Sequence, residues 1–323
     1  MLRRSALALL TVGLAGPAFA QAYPTKPITL IVPFAAGGPT DLMARIVGER
    51  MSKELGQQII IDNVTGAAGS IAMGKLAHAT PDGYTIGIGH LGTNVVNGLI
   101  YKNLNYDLLG DLVPVARLPS NPLLVVTSNQ VPAKDMKELV AYLKANADKI
   151  SGGTAGMGSG SHIGALAFFA VTGTNYQLVP YRGTGPAVQD LIANQIQIMI
   201  DQSSNSLPHV RAGKLKVYAV TAKERTAAAP DIPTTAEAGF PGIEVAIWHG
   251  LWAPKGTPPE IIAKLNAAAV AALKDPEIRR KLEDLGQDIP TPEQMQPAAF
   301  DAYQRAEFAK WKPIIEKANV KVE

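Results

Sequence analysis

The stretch Pro33-Phe34-Ala35-Ala36-Gly37-Gly38-Pro39-Thr40-Asp41-Leu42-Met43-Ala44-Arg45 decides the fold. The run before it, Ile28-Thr29-Leu30-Ile31-Val32, is apolar and β-branched and reads as a buried strand. A helix opens after it. Gly38 can serve as N-cap, Pro39 suits the first helical position because it has no N–H to leave unpaired, and Asp41 favours the first turn. Leu42, Ile46, Val47, Met51 and Leu55 form an apolar stripe, and Gly56 is a stop. The junction is therefore strand, glycine loop, helix N-terminus. Adjacent glycines let backbone approach a ligand closely, and first-turn amides have no partner within the helix. Such a place suits an anion. The alternative is a tight turn with nothing bound, and both readings stand at this point.

Outward from this junction the pattern recurs. Gln58-Ile59-Ile60-Ile61-Asp62 reads as a strand, Gly66-Ala67-Ala68-Gly69-Ser70 as a glycine loop, and Ile71 to Ala79 as a helix. Tyr84 to Gly89 is a third strand, and His90-Leu91-Gly92-Thr93-Asn94 a third loop before a short helix. Strands alternating with helices imply a parallel sheet with helices on its faces, so right-handed crossovers gather the loops at the carboxyl ends of the strands. Val113 to Val126 is apolar and holds Pro114, Pro119 and Pro122, which reads as strands crossing between domains. A second unit follows. Its glycine loops are Gly152 to His162, before an apolar helix, and Arg182-Gly183-Thr184-Gly185-Pro186, before another. Ile196 to Ile200 is a strand ending at Asp201, ahead of Gln202-Ser203-Ser204-Asn205-Ser206. Ala246 to Trp252 is a strand, and the helical C-terminal part is expected to pack back on the first unit.

Composition narrows the function. Arg3 and Arg4, the apolar run Ala6 to Ala15 and Ala18-Phe19-Ala20 read as a secretory signal cleaved after Ala20, too short to span a bilayer. Twin-arginine export finds little support in the flanking residues. There is no cysteine, which excludes disulfides, thiol catalysis and a lipid-modified N-terminal cysteine, so a soluble product is expected. Without Arg3 and Arg4, Lys+Arg falls from 30 to 28 against 27 acidic residues, a net charge of +1. No basic block appears, so nucleic-acid binding is unsupported.

Catalytic motifs do not hold up. Gly87-Ile88-Gly89-His90-Leu91-Gly92 matches G-x-G-x-x-G, but its first glycine lies inside a strand and Asp107 follows a turn. The histidines His78, His90, His162, His209 and His249 lack zinc-ligand spacing, and no acidic cluster suits calcium. His162 with Ser159 and Ser161 could suggest a catalytic set, but Ser161 and His162 more simply supply a helix N-cap and first turn. What remains is a set of glycine loops carrying Ser, Thr, Asn or Arg before helices. If the units face each other, these converge on a cleft for an anionic small molecule, with Arg182 its one cation. The alternatives are an ion pair from Arg182 to Asp190, core positions for Phe34 and Trp248, and a helix-capping role for Asp201.

Taken together, these residues resemble the periplasmic solute-binding proteins of tripartite tricarboxylate transporters, the Bug family. The resemblance rests on Val32 to Gly38 with Asp41 and Ala44-Arg45, Asn63 with Gly66 to Gly69, Pro81-Asp82-Gly83-Tyr84-Thr85, and Tyr106-Asp107. It continues through Gly158 to His162, Pro180-Tyr181-Arg182-Gly183-Thr184, Pro233 to Gly239, and Ala253-Pro254 before Gly256-Thr257-Pro258. It implies an α/β, two-lobed type II periplasmic-binding-protein fold of mixed, mainly parallel sheets flanked by helices, closing over a ligand cleft. Lobe 1 would comprise 21–122 and the return 244–323, and lobe 2 would comprise 123–243. It implies a non-enzymatic, periplasmic, monomeric receptor without cofactor, which binds a small organic carboxylate, aliphatic or aromatic, and docks on membrane permease subunits. One ligand carboxylate would be held by Phe34, Ala35, Ala36, Gly37, Gly38, Thr40 and Asp41 together with Tyr181, Arg182, Gly183 and Thr184, partly through water. The distal end would meet His90, Gly92, Thr93, Ser159, Ser161, His162, Asp201 and Asn205, with Ala67 at the second glycine loop. Arg182 stands where Lys is common, Gly185 departs from the usual pattern, and Gln202 to Ser206 is more polar than in the family. An alternative is a receptor feeding a signalling partner; a secreted enzyme ranks below it.

Overall fold

The computed structural model describes residues 23–318, so the expected signal and its cleavage point lie outside the described residues. The chain opens with β1 (Ile28–Val32), α1 (Pro39–Leu55), β2 (Ile59–Asn63), α2 (Ser70–Ala77), β3 (Thr85–His90) and α3 (Asn97–Ile100). β1 is buried along nearly its whole length, as a continuous apolar run requires when both sheet faces are covered. Gly56 takes the left-handed conformation at φ 69° and ends α1, a geometry that glycine adopts without a Cβ clash.

β4 (Leu112–Ser128) is one continuous strand through Pro114, Pro119 and Pro122. Proline removes a ladder donor, so it is rare in a central strand. Here the register against β9 shifts between Pro114 and Ala116 and again between Leu118 and Ser120, and these irregularities absorb two of the three prolines. The next elements are α4 (Met136–Ala145), β5 (Ser151–Thr154), α5 (Gly160–Thr172), β6 (Gln177–Pro180), α6 (Thr184–Ile192), β7 (Ile198–Gln202), α7 (Ser203–Arg211) and β8 (Leu215–Val220). β9 (Ala246–Pro254), α8 (Pro259–Lys274), α9 (Pro276–Asp284) and α10 (Pro297–Ala318) complete the chain.

The strands form a mixed sheet in the order β2-β1-β3-β9-β4-β7-β5-β6, with β8 also on β4. Both ends of this order pair parallel, as the β-loop-α pattern implies. β4 and β9 cross the middle antiparallel. β4 serves both parts: Leu112 to Pro122 pairs with β9, and Leu123 to Ser128 pairs with β7 and β8.

The third expected loop is absent. β3 runs into His90, and a wide helical turn over Gly92–Val96 leads directly into α3. The His90 ring makes this possible, since its Nδ1 accepts from the amides of Gly92 (2.8 Å) and Thr93 (3.3 Å) and so caps the turn.

The C-terminal part does return to the first unit. Leu265, Ala269 and Leu273 of α8 share a buried cluster with Met43, Val47 and Met51 of α1. α10 is fixed to β9 by Trp248, whose Nε1 donates to Glu307 at 3.2 Å, and by Trp252, whose Nε1 donates to Gln304 at 3.1 Å. The ring of Phe300 lies against both indoles. Trp248 is thus a core residue.

Candidate functional site

Two strand-to-helix junctions, far apart in sequence, meet face to face. α1 begins at the N-cap Gly38 and α6 at the N-cap Gly183, and neither helix has a side-chain cap. The Ala35 amide donates to the Arg182 carbonyl at 3.0 Å, which ties the two loops together through backbone alone. The approach depends on missing side chains. A Cβ on Gly185 would lie 2.9 Å from the Gly37 carbonyl carbon and 3.0 Å from the Gly38 nitrogen. A Cβ on Gly183 would lie 3.1 Å from the Ala35 nitrogen. Gly37 is different: it has open space around it but sits at φ +83°, so its glycine serves the turn itself.

Between these junctions lies a cavity lined by Phe34, Gly38, Pro39, Thr40, His90, Ala155, Ser159, Gly160, Ser161, Thr184 and Gln202. The space open to the centre of a water is about 10 Å³, enough for roughly one water. Apart from His90, no ionisable side chain lines it. His90 is buried and stacks on Phe34, with ring centroids 5.1 Å apart and planes 14° from parallel. Burial, with a smaller push from His249, moves its pKa down to about 3, so the ring is neutral at neutral pH. Because Nδ1 accepts two amides, the proton is assigned to Nε2, which has no partner among the described residues. His249 packs edge-on to His90 at 5.7 Å, and its Nε2 lies 3.2 Å from Thr40 Oγ1. Burial takes the pKa of His249 down to about 4. The chamber thus offers hydroxyls, amides and a neutral imidazole, without fixed charge.

A second, larger chamber shares Phe34 and Ala155 with the first and has about 320 Å³ open to a water centre. The Gly66 to Gly69 turn, Tyr101, Met157 and the segment Pro180 to Arg182 enclose it. Ala67 and Ala68 sit at φ 45° and 47°, and Asn97 Nδ2 holds this turn through the Ala68 carbonyl at 3.0 Å.

Of the residues singled out by sequence, Phe34, Gly38, Thr40, His90, Ser159, Ser161 and Thr184 line the inner chamber. Ala67, Tyr181 and Arg182 line the outer one. The others lie outside both. Ala35 and Gly183 make the loop-to-loop contact, and Ala36 is in the same turn. Gly92 and Thr93 hold the His90 ring, and His162 Nδ1 accepts from the Gly158 amide at 3.2 Å. Asp41 faces away from the chamber and braces the turn. It accepts from the Gly37 amide at 2.9 Å, from Arg45 at 2.9 and 3.0 Å, and from Asn63 at 3.0 Å. Burial alone would raise its pKa, but these hydrogen bonds more than offset that and hold it below the usual carboxylate range. Asp201 is fully buried beneath the start of α7, where it accepts from Asn205 and Ser206 at 2.6 Å each. Burial raises its pKa to about 6, partly countered by those donors. Arg182 makes no ion pair with Asp190, which instead accepts from Tyr181 Oη at 2.7 Å. Gln202 belongs to the polar stretch from Asp201 to Asn205 that the sequence set at the distal end of the ligand, and it lines the inner chamber. It is the N-cap of α7 at the carboxyl end of β7, the position that open α/β sheets use for ligands.

The profile described as the tripartite tricarboxylate transporter family receptor matches residues 43–320. The chain belongs to this family. A protein from Rhodopseudomonas palustris described as MatC with bound malate is 41% identical, with TM-score 0.87 over 91% of this chain and all of that one. The periplasmic binding protein BugD is 38% identical, with TM-score 0.90 over 93% of this chain and 100% of that one. R. palustris Rpa4515, described with adipate, is 33% identical, with TM-score 0.86 over 92% of this chain and 98% of that one. The family is one of periplasmic solute-binding receptors, not of enzymes, and the architecture here is the periplasmic-binding-protein fold. Among the described residues no helix is long and apolar enough to cross a membrane, and no group of three or more metal-binding side chains comes together.

Proposed function

We propose that this receptor captures a small organic carboxylate between its two lobes by hinge closure and delivers it to a membrane transporter of the tripartite tricarboxylate type. One observation carries the reading. The uncapped N-termini of α1 and α6 come from opposite lobes and converge on a single chamber without a cationic wall. Unpaired first-turn amides and the positive ends of two helix dipoles favour an anion where no counter-charge is built in. The malate and adipate described with two relatives fit that chemistry. Closure is supported by size. The inner chamber has room for about one water, too little for a carboxylate group, so loading requires the lobes to part and re-close over the solute. In this reading the lobes divide near Pro122 and again ahead of β9, and the signal is removed after Ala20 on export.

The test is calorimetric titration of refolded, ligand-stripped protein against mono-, di- and tricarboxylates. Micromolar or tighter binding of one acid, with a smaller radius of gyration in solution scattering on loading, is the expected result. Gly38→Trp places an indole in the chamber and should abolish binding with the fold intact by circular dichroism. Undiminished affinity in that variant would overturn the site.

A further inference from the structure

We propose that the outer chamber is the distal subsite of this receptor, and that Arg182 there reads a second carboxylate on an elongated, apolar-centred diacid. The proposal rests on the reading that the inner chamber takes the first carboxylate.

The two chambers differ in chemistry and share one side chain as a threshold. Phe34 lies face to face with His90 in the inner chamber, while its Cζ comes within 3.7 Å of where a Cβ on Gly69 would stand at the outer one. A ligand passing from one chamber to the other must therefore run along the Phe34 ring, a contact suited to methylene or aryl carbons. Beyond that ring the walls are mainly apolar, formed by Ala67, Ala68, Ala155, Met157 and Pro180. Met157 is 42% exposed, a large share for an apolar side chain, and it faces a chamber that an apolar ligand body would fill. The polar lining groups are already used. Tyr101 Oη donates to the Met157 carbonyl at 3.2 Å and Tyr181 Oη to Asp190 at 2.7 Å.

Arg182 is the exception. Among the described residues its guanidinium has neither ion pair nor hydrogen bond, although five of the nine described arginines are ion-paired. It is the one ionised side chain lining the outer chamber, and its backbone carbonyl is held by the Ala35 amide on the opposite lobe. The base of the side chain is thus fixed at the closure contact while its head group is free. A planar guanidinium can take a carboxylate through two parallel hydrogen bonds. The sequence placed Arg182 on the same carboxylate as the first glycine loop. The geometry points to the other end of the ligand, because Arg182 lines only the outer chamber.

The experiment pairs linear α,ω-diacids from four to eight carbons with the monoacids of the same length, titrated calorimetrically into wild type, Arg182→Gln and Arg182→Lys. Wild type should prefer the longer diacids to their monoacids by at least about tenfold. Arg182→Gln should erase that preference without changing monoacid affinity, and Arg182→Lys should restore part of it. Equal loss for diacid and monoacid, or no loss for either, overturns the proposal. Gly38→Trp separates the two readings. If it abolishes binding of both acids while Arg182→Gln does nothing, only the distal assignment falls. If it leaves both unchanged, the inner-chamber reading fails and takes this one with it.

Discussion

The glycine junctions of α1 and α6 differ from the serine junction of α5 in one respect, although all three are strand-to-helix turns lining the same chamber. At α5 the Ser159 side chain accepts the His162 amide at 3.3 Å, and the Ser161 hydroxyl accepts the Ala155 amide at 3.0 Å. That turn satisfies itself. At α1 and α6 a glycine occupies the cap and offers nothing, so first-turn amides are left for an outside partner. The difference teaches which loops bind and which build. A capped turn is stable alone and presents a finished surface. A glycine-capped turn forgoes only about a few tenths of a kcal/mol relative to a serine cap, and its free amides remain available to a bound anion.

The contrast can be broken in order of expected effect. Gly185→Ala inserts a methyl 2.9 Å from backbone that cannot yield, so the two uncapped turns can no longer meet. Titration should show carboxylate affinity falling by about 100-fold, roughly 3 kcal/mol, with a near-normal melting temperature. Wild-type affinity would mean that the junctions need not touch. Thr184→Ala removes a hydroxyl from the chamber but keeps the backbone contact, and about a tenfold loss is expected from the same measurement.

The third effect is on pH. His90 and His249 have folded pKa values of about 3 and about 4 against an ordinary 6.5, so the unfolded chain takes up protons first as pH falls. Their contribution to stability is complete above pH 6.5 and is lost progressively below it, down to the folded values. Asp201 acts oppositely. Its pKa of about 6 lies above the ordinary 3.8, so it recovers some stability between those pH values. Melting temperature should therefore fall from pH 7 to pH 5, less steeply than two histidines alone would give. His249→Gln should flatten the fall, and an unchanged slope would show that His249 does not titrate on unfolding.

The smallest effect tests the self-satisfied turn. Ser159→Ala removes a cap worth about 1 kcal/mol and should lower the melting temperature by about 2 °C, while affinity stays within roughly threefold. A large affinity loss without destabilisation would place Ser159 with the binding loops.

Much of this architecture was legible along the chain. β1 and α1 follow from a β-branched run, a glycine pair and Pro39, all within a few residues of one another. The start of α5 was legible only to within two residues: Ser161 reads as its cap, but Ser159 is the cap, while the Ser161 hydroxyl accepts from the Ala155 amide. The directions of side chains were not. Asp41, in the first turn of α1, and Asp201, at the carboxyl end of β7, both sit where ligand contacts are expected, yet each is turned away to hold its own helix start. Gln202, one residue beyond Asp201, reaches the chamber instead. Which of two neighbours faces a cavity depends on strand twist and on what packs behind it, and neither is local. The missing third loop has a similar origin, because His90 caps the next turn only once its ring is buried against Phe34 and His249.

The sequence by itself determined the alternation of strands, glycine turns and helices, and the family to which the chain belongs. These depend on residue type and spacing, which the chain carries with it. The tertiary structure alone decided that β4 pairs with β9 along one part and with β7 and β8 along the other, that Gly38 and Gly185 lie against each other, and that Arg182 opens on a chamber apart from the helix termini. Those facts require residues about 70 to 150 positions apart to meet, as in the pairing of β4 with β7 and β9 and the contact of Gly38 with Gly185, and no local pattern encodes such meetings.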